Sequence, residues 1–259
     1  MHLVEVERHK RGIVRVVMND AEARNAMGVR LRGALTEVLS DLFADATARV
    51  IVIASALPNF SVGGDLSKMD ALTDPKAGRA RMMAAHPLAR MILAAEKPLI
   101  AEVEGHAFGA GAGLALACDT IVMGQGAALG FGFFRVGLVP DFAIAHTLPR
   151  RIGFGRAREA LMYGRSVSGE EAAAIGLADD VVPDGGAAEA AMARAERLAR
   201  QPSLAMGLTK RMLERHESAE AVMDFEAAAQ PLCFASPDFA EGLAAFREKR
   251  GPRFDPESE

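Results

Sequence analysis

The chain has 259 residues, half of them hydrophobic and a quarter charged, which is enough to bury a large core and is an ordinary globular composition. Thirty Lys and Arg against 34 Asp and Glu leave a net charge of −4 with no basic stripe, which argues against a nucleic-acid partner. No apolar run reaches membrane-spanning length and the N-terminus lacks a signal-like pattern, so a cytoplasmic protein without a membrane partner is expected.

Leu3 to Arg8 and Gly12 to Asn19 alternate apolar and polar residues around His9-Lys10-Arg11, which predicts an antiparallel strand pair. Leu31, Leu35, Val38, Leu39 and Leu42 then recur at helical spacing, and a β-branched strand follows over 50–54. A loop over 57–65 precedes a helix over 79–95, a buried strand over 98–103 and a small-residue helix over 109–118. Short strands over 119–123 and 128–131 lead to a turn at Val139-Pro140-Asp141 and a helix to Arg151. Four helices are expected over 187–200, 203–215, 219–234 and 238–249. The organisation predicted is an α/β core over 1–190 and a helical region over 191–259.

Cys118 and Cys233 lie far apart in apolar surroundings and are expected as buried, reduced thiols. The six histidines match no helical metal pair, so no metal is expected, and His86 and His146 are read as surface or packing residues. Asp65 and Asp119 are read as structural caps, and Glu102 and Glu104 as residues flanking a buried strand rather than as bases.

Two glycine-containing segments carry the chemistry. In FSVGGDLSKM, over 60–69, adjacent glycines between a strand and a short helix allow backbone N–H groups to face a cleft. In EGHAFGAGAGLALACD, over 104–119, a strand ends in a Gly-rich turn that feeds a helix, whose unpaired N-terminal donors suit an oxyanion or phosphate. Gly109, Gly111 and Gly113 do not match the dinucleotide-binding spacing. Close helix–sheet packing is the plainer explanation of the small residues, and it is compatible with catalysis.

The two segments, in this order and at this separation, resemble the signatures of the crotonase (enoyl-CoA hydratase/isomerase) superfamily. RNAM, over 24–27, is similar to the family's segment beside the CoA adenine, and FREKRGPRF, over 246–254, to its C-terminal CoA-proximal end. The resemblance implies a spiral of repeated β-β-α units, a helical C-terminal region that builds a homotrimer or a dimer of trimers, and no cofactor other than the CoA of an acyl-CoA substrate. It places the oxyanion donors on the backbone N–H groups of Gly64 and Ala110. Around CoA and the acyl group it places Arg24, Ala26, Val62, Asp65, Leu66, Lys68, Phe133, Lys249 and Arg250. The cations among these suit the CoA phosphates.

The family's hydratases use two glutamates to hold and activate water, and those positions here are Gly113 and Phe133. A hydrogen and an apolar ring cannot move a proton, and such acid–base catalysis contributes about 10²–10⁴ in rate. Asp141 remains at a position that similar isomerases use for a base and a dehalogenase uses for a nucleophile. The dehalogenase subgroup adds a Trp, and this chain has none. An aspartate between Pro140 and a helix is also a good N-cap, worth about 1 kcal/mol, which would lower its pKa. An apolar pocket built from Phe131, Phe133 and Phe134 would raise it instead. The expectation is an enoyl-CoA isomerase with Asp141 as base. An atypical hydratase and a catalytically silent acyl-CoA-binding homologue are the alternatives.

Overall fold

The computed structural model describes residues 2–66, 74–214 and 218–254. The N-terminal alternation forms the predicted hairpin, with strand β1 (Val4–Arg8) antiparallel to β2 (Ile13–Met18). Parallel strands β3 (Val50–Ser55), β4 (Leu99–Val103), β6 (Thr120–Gly124) and β9 (Asp180–Val182) complete a six-stranded sheet of order β1-β2-β3-β4-β6-β9. A second sheet contains β5 (His106–Phe108), β7 (Ala128–Gly130) and β8 (Ser166–Ser168), and Ser61 bridges in parallel to Ala107 of β5.

The chain winds between the two sheets. Helix α1 (Val29–Ala44) follows β2, and α2 (Pro75–Leu93) follows β3 and the Ser61 bridge. Helix α3 (Ala110–Ala117) follows β4 and β5, and α4 (Ile144–Met162) follows β6 and β7. Each of these later turns therefore sends one segment to the large sheet, one to the small sheet and then a helix outside. This is the expected β-β-α spiral. The last turn reverses the order, with β8, then α5 (Gly169–Ile175), then β9.

Burial on both faces explains why β3 reads as a continuous apolar run instead of an alternating one. Ile51 and Ile53 join the main core with Leu31, Leu35, Leu39, Leu99 and Ile121. Val50 and Val52 face the other way, with Ile13, Ile100 and Val122, against α6 (Ala187–Ala199). That helix presents Ala187, Ala191, Ala195 and Ala199, each fully buried, at a spacing of four. The Ala-rich stretch is thus a close-packing surface, because a methyl side chain lets a helix approach a sheet closely. Glu104 anchors its start by accepting from the Gly185 and Ala187 N–H groups. The expected division at residue 191 falls inside this helix. The helices beyond it are α7 (Ser203–Leu213), α8 (Ala219–Phe234) and α9 (Pro237–Glu248).

Asp119 does not cap a helix. Its Oδ2 accepts from the Leu99 N–H at 2.7 Å and from Lys210 Nζ at 2.6 Å, which ties α7 to the sheet. Cys118 is buried, and desolvation pushes its thiol up to about 12, while Cys233 is only half-buried, contrary to expectation. Among the described residues no helix is long and apolar enough to cross a membrane, and no cluster of His, Cys, Asp and Glu is suited to a metal.

Glu102 is 5% exposed and receives two hydrogen bonds from Arg15, at 2.8 and 2.7 Å, across β3. Removing Glu102 leaves Arg15 only its bond to the exposed Glu7, at 3.0 Å, and breaking a buried pair from one side typically costs about 3–5 kcal/mol, whereas replacing both partners with apolar residues leaves no buried orphan. Urea denaturation of Glu102→Ala should show a loss of about 3 kcal/mol. The double variant Arg15→Met/Glu102→Leu should lose clearly less.

Candidate active site

The small sheet positions the site by aligning three chain segments side by side. Ser61 N–H donates to the His106 carbonyl, the Phe108 N–H to the Ser61 carbonyl, and the Gly109 N–H to the Gly130 carbonyl, all at 2.9–3.0 Å. The residues just beyond, Val62 to Gly64, Gly109 to Ala110 and Gly132 to Phe133, leave the sheet at the same end. They line one cavity of about 300 Å³ together with Asp141, Leu138, Gly164 and Ser166. Ligands at the carboxyl ends of parallel strands follow from this arrangement, because the loops there are free to diverge.

Gly64 and Ala110 both lie in this cavity wall, and neither backbone N–H donates to a described residue. Ala110 opens α3, where an unpaired N–H is intrinsic to the helix end. Gly63 makes the approach possible: its φ is +94°, and a Cβ there would stand 2.6 Å from the Phe108 carbonyl oxygen. The buried Ser61 hydroxyl donates to the Asn25 carbonyl at 2.6 Å and accepts from the Gly63 N–H at 3.2 Å. Gly64 and Ala110, which the resemblance reads as donors, thus line one cavity from separate loops.

Asp141 is not a helix cap. The N-cap of α4 is Ala143, without a side-chain bond, and Asp141 contributes only its carbonyl, which accepts from the Ile144 N–H. Its Oδ1 is buried without a hydrogen-bond partner. Burial raises the Asp141 pKa above the ordinary carboxylate value, against the opposing charges of Arg32, Arg81 and His86 and its own backbone N–H. Of the three phenylalanines expected around it, Phe133 lines the cavity, Phe131 is fully buried in the core and Phe134 is half-exposed.

The neighbouring Phe142 is 4% exposed in a left-handed conformation with φ +50°. A Cβ built on Gly113 would lie 2.5 Å from the Phe142 Cβ and 3.2 Å from Ile144 Cγ1. The space beside Gly113 is therefore filled by these side chains, so the position is packed and does not open onto the cavity.

A second cavity of about 450 Å³ shares Val62, Gly64 and Leu66 with the first and is lined also by Arg24, Ala26, Asp65 and Arg81. The RNAM segment reaches it through Arg24 and Ala26, and the buried Asn25 between them anchors the segment, its amide donating to Ser55 Oγ at 2.8 Å and to the Phe60 carbonyl at 3.2 Å. The Met27 N–H then bonds to the Gly63 carbonyl at 2.7 Å, which fixes the two loops together. Lys68 lies outside the described residues. Lys249 caps α9 and lines neither cavity, and Arg250 is paired with Glu241 and Glu248. His146 is exposed and sits 3.6 Å from Glu214, whereas His86, read from sequence as a surface or packing residue, is among the groups acting on Asp141.

Sequence reasoning missed Arg32 and Arg81. Arg32 carried a usable signal: it occupies a position three before Leu35 and seven before Leu39, on the apolar stripe of α1, where a charge is out of place.

The sequence matches the enoyl-CoA hydratase/isomerase family over residues 8–257. It is 32% identical to the 1,2-epoxyphenylacetyl-CoA isomerase of Escherichia coli over 95% of each chain. Against the human mitochondrial enoyl-CoA hydratase domain-containing protein 2 it is 34% identical, covering 94% of this chain and 85% of that one. An enoyl-CoA hydratase crystal structure from Bacillus anthracis superposes with a TM-score of 0.91 at 28% identity, covering 98% of this chain and 100% of that one. With the spiral of β-β-α turns, the paired backbone donors and a match over nearly its whole length, the chain belongs to the enoyl-CoA hydratase/isomerase family.

Proposed function

We propose that the chain is an enoyl-CoA isomerase that shifts a double bond through a dienolate. The observation that carries this reading is a cavity whose wall holds two free backbone donors and, among its described residues, a single carboxylate. The thioester oxygen accepts from the Gly64 and Ala110 N–H groups. Asp141 takes a proton from C2 of a 3-enoyl chain, the negative charge spreads onto the thioester oxygen, and Asp141 returns the proton at C4. One group that accepts and then donates is sufficient for this exchange, and a raised pKa suits both halves of it. Each backbone donor acts where charge develops, and losing one such donor costs about 10²–10³ in rate in enzymes studied this way.

Water addition needs one group to activate water and another to protonate carbon, and Phe142 fills the space beside Gly113. The relative from Escherichia coli, named as an isomerase of a CoA thioester, is consistent with this reading. The hydratase names of other relatives favour the second reading, in which backbone groups and the substrate hold the water. The chemistry proposed needs no cofactor, because the CoA arrives with the substrate. The assembly proposed is a homotrimer or a dimer of trimers.

Incubation with 2-enoyl- and 3-enoyl-CoA thioesters, followed by mass and absorbance, should show a mass-neutral change. A gain of water would replace this reading with hydration. Asp141→Asn should lose turnover by at least about 10²-fold while still binding the thioester, and undiminished turnover would remove Asp141 from the mechanism.

The pH dependence has a definite sign. Since the folded pKa of Asp141 lies above its unfolded value of about 4, its contribution to stability is fully present below that value and is lost as pH rises through the folded pKa. Thermal melts at pH 8 should therefore find Asp141→Asn at least as stable as the parent, and the acid limb of the parent's pH–rate profile should lie above pH 4.

Gly113→Glu tests the packing beside the site. It should fail to produce hydratase activity and should lose about 1–3 kcal/mol of stability, the usual range for overpacking. Combination with Phe142→Ala should recover part of that loss in the same denaturation assay.

A further inference from the structure

Ser61 is fully buried and lines neither cavity, yet it meets both chain segments that carry the proposed donors. Its backbone lies beside β5, the strand that leads into Ala110, donating to the His106 carbonyl and accepting from the Phe108 N–H. Its hydroxyl serves the other segment. It accepts from the Gly63 N–H at 3.2 Å, one residue before Gly64, and donates to the Asn25 carbonyl at 2.6 Å. Its side chain also abuts the first turn of α3, since a Cβ built on Gly111 would stand 2.6 Å from both Ser61 Cβ and Ser61 Oγ. Gly111 directly follows Ala110, so one side chain spaces the two segments.

The Gly63 segment needs such a restraint. A glycine at φ +94° has wide backbone freedom, and among the described residues no group other than the Ser61 hydroxyl accepts from its N–H. The bonds from the Met27 N–H to the Gly63 carbonyl and from the Val62 N–H to the Arg24 carbonyl anchor the segment to the RNAM loop, not to α3. A misplacement of about 1 Å costs up to about 10²-fold in rate, so a donor on a permissive loop depends on whatever orients it. We propose that the Ser61 hydroxyl is a positioning group that sets where the Gly64 donor stands relative to the Ala110 donor. This rests on the reading of those two backbone N–H groups as the site of a thioester oxygen. Ser61 itself touches no substrate and acts through Gly63.

The stretching frequency of a bound thioester carbonyl reports hydrogen bonding to its oxygen, and butanoyl-CoA, being saturated, gives that signal without turnover. Infrared difference spectra of butanoyl-CoA labelled at the thioester carbonyl should show a fall in frequency on binding to the parent chain. In Ser61→Ala that fall should be at most about half as large. On an enoyl-CoA that the parent turns over, kcat of the variant should drop by about tenfold or more, with a smaller change in KM. Glu102→Ala, which loses a buried ion pair and lines neither cavity, should keep the parent's full fall in frequency, which separates positioning from lost stability. If Ser61→Ala does not fold, as a circular dichroism melt would report, Ser61→Cys carries the same expectation, because a thiol is a weak donor and acceptor. A full fall in the Ser61 variant overturns the proposal, as does an equally reduced fall in Glu102→Ala. A parent that binds butanoyl-CoA with no fall removes the two backbone donors themselves, and a parent that does not bind it overturns the CoA-thioester reading. Either result takes the proposal with it.

Discussion

The parallel alignment of Ser61, β5 and β7 is the constraint on which the site depends. Three backbone segments hydrogen-bonded side by side must end side by side, so the loops that follow them are delivered to one place. Gly64 and Ala110 line one cavity for that reason, although 46 residues of sequence numbering separate them. Backbone donors held by a sheet and a helix start lose little freedom when charge develops nearby, which is what suits them to the enolate proposed for this site.

The same alignment demands unusually close backbone contact, and small residues supply it. Gly63 passes the Phe108 carbonyl at a distance no side chain tolerates, and the Ser61 hydroxyl ties that loop to Asn25. On the far face of the large sheet, the four buried alanines of α6 do the corresponding work. Close packing and the shape of the cavity are therefore one design here: the small residues at Gly63, Gly64 and Ala110 that let elements approach also line the cavity.

Electrostatically the site is built from few and poorly matched charges. Asp141 is held in a turn whose next two residues, Phe142 and Ala143, adopt left-handed conformations, at φ +50° and +60°. Such backbone is unfavourable for residues with a Cβ and persists where the surroundings over-determine it. Phe142 packs into the space beside Gly113, and this packing fixes the turn that presents the carboxylate. The nearby Arg32 and Arg81 supply field without a hydrogen bond, so Asp141 keeps a raised pKa while its charged form is still attended.

Most of the fold was legible from the chain itself. Apolar periodicity located the N-terminal hairpin, α1, β3, β4 and the four C-terminal helices, because the period of a buried stripe is a local property. The three-residue strands β5, β8 and β9 were not legible, since their pairing partners are remote and so short a run carries no period. The two glycine motifs and Asp141 stood out as residue types, yet whether Asp141 capped a helix or faced a cavity depended on where α4 begins. Local sequence suited either outcome, and the turn at Phe142 and Ala143 moved the cap away. Only the tertiary structure joined Arg32 and Arg81 to that carboxylate, because electrostatic neighbours on separate helices leave no trace in spacing. What the sequence by itself determined was the set of chemical groups and the elements that carry them. Their environment, and with it their charge state and role, was decided by packing between residues far apart in the chain.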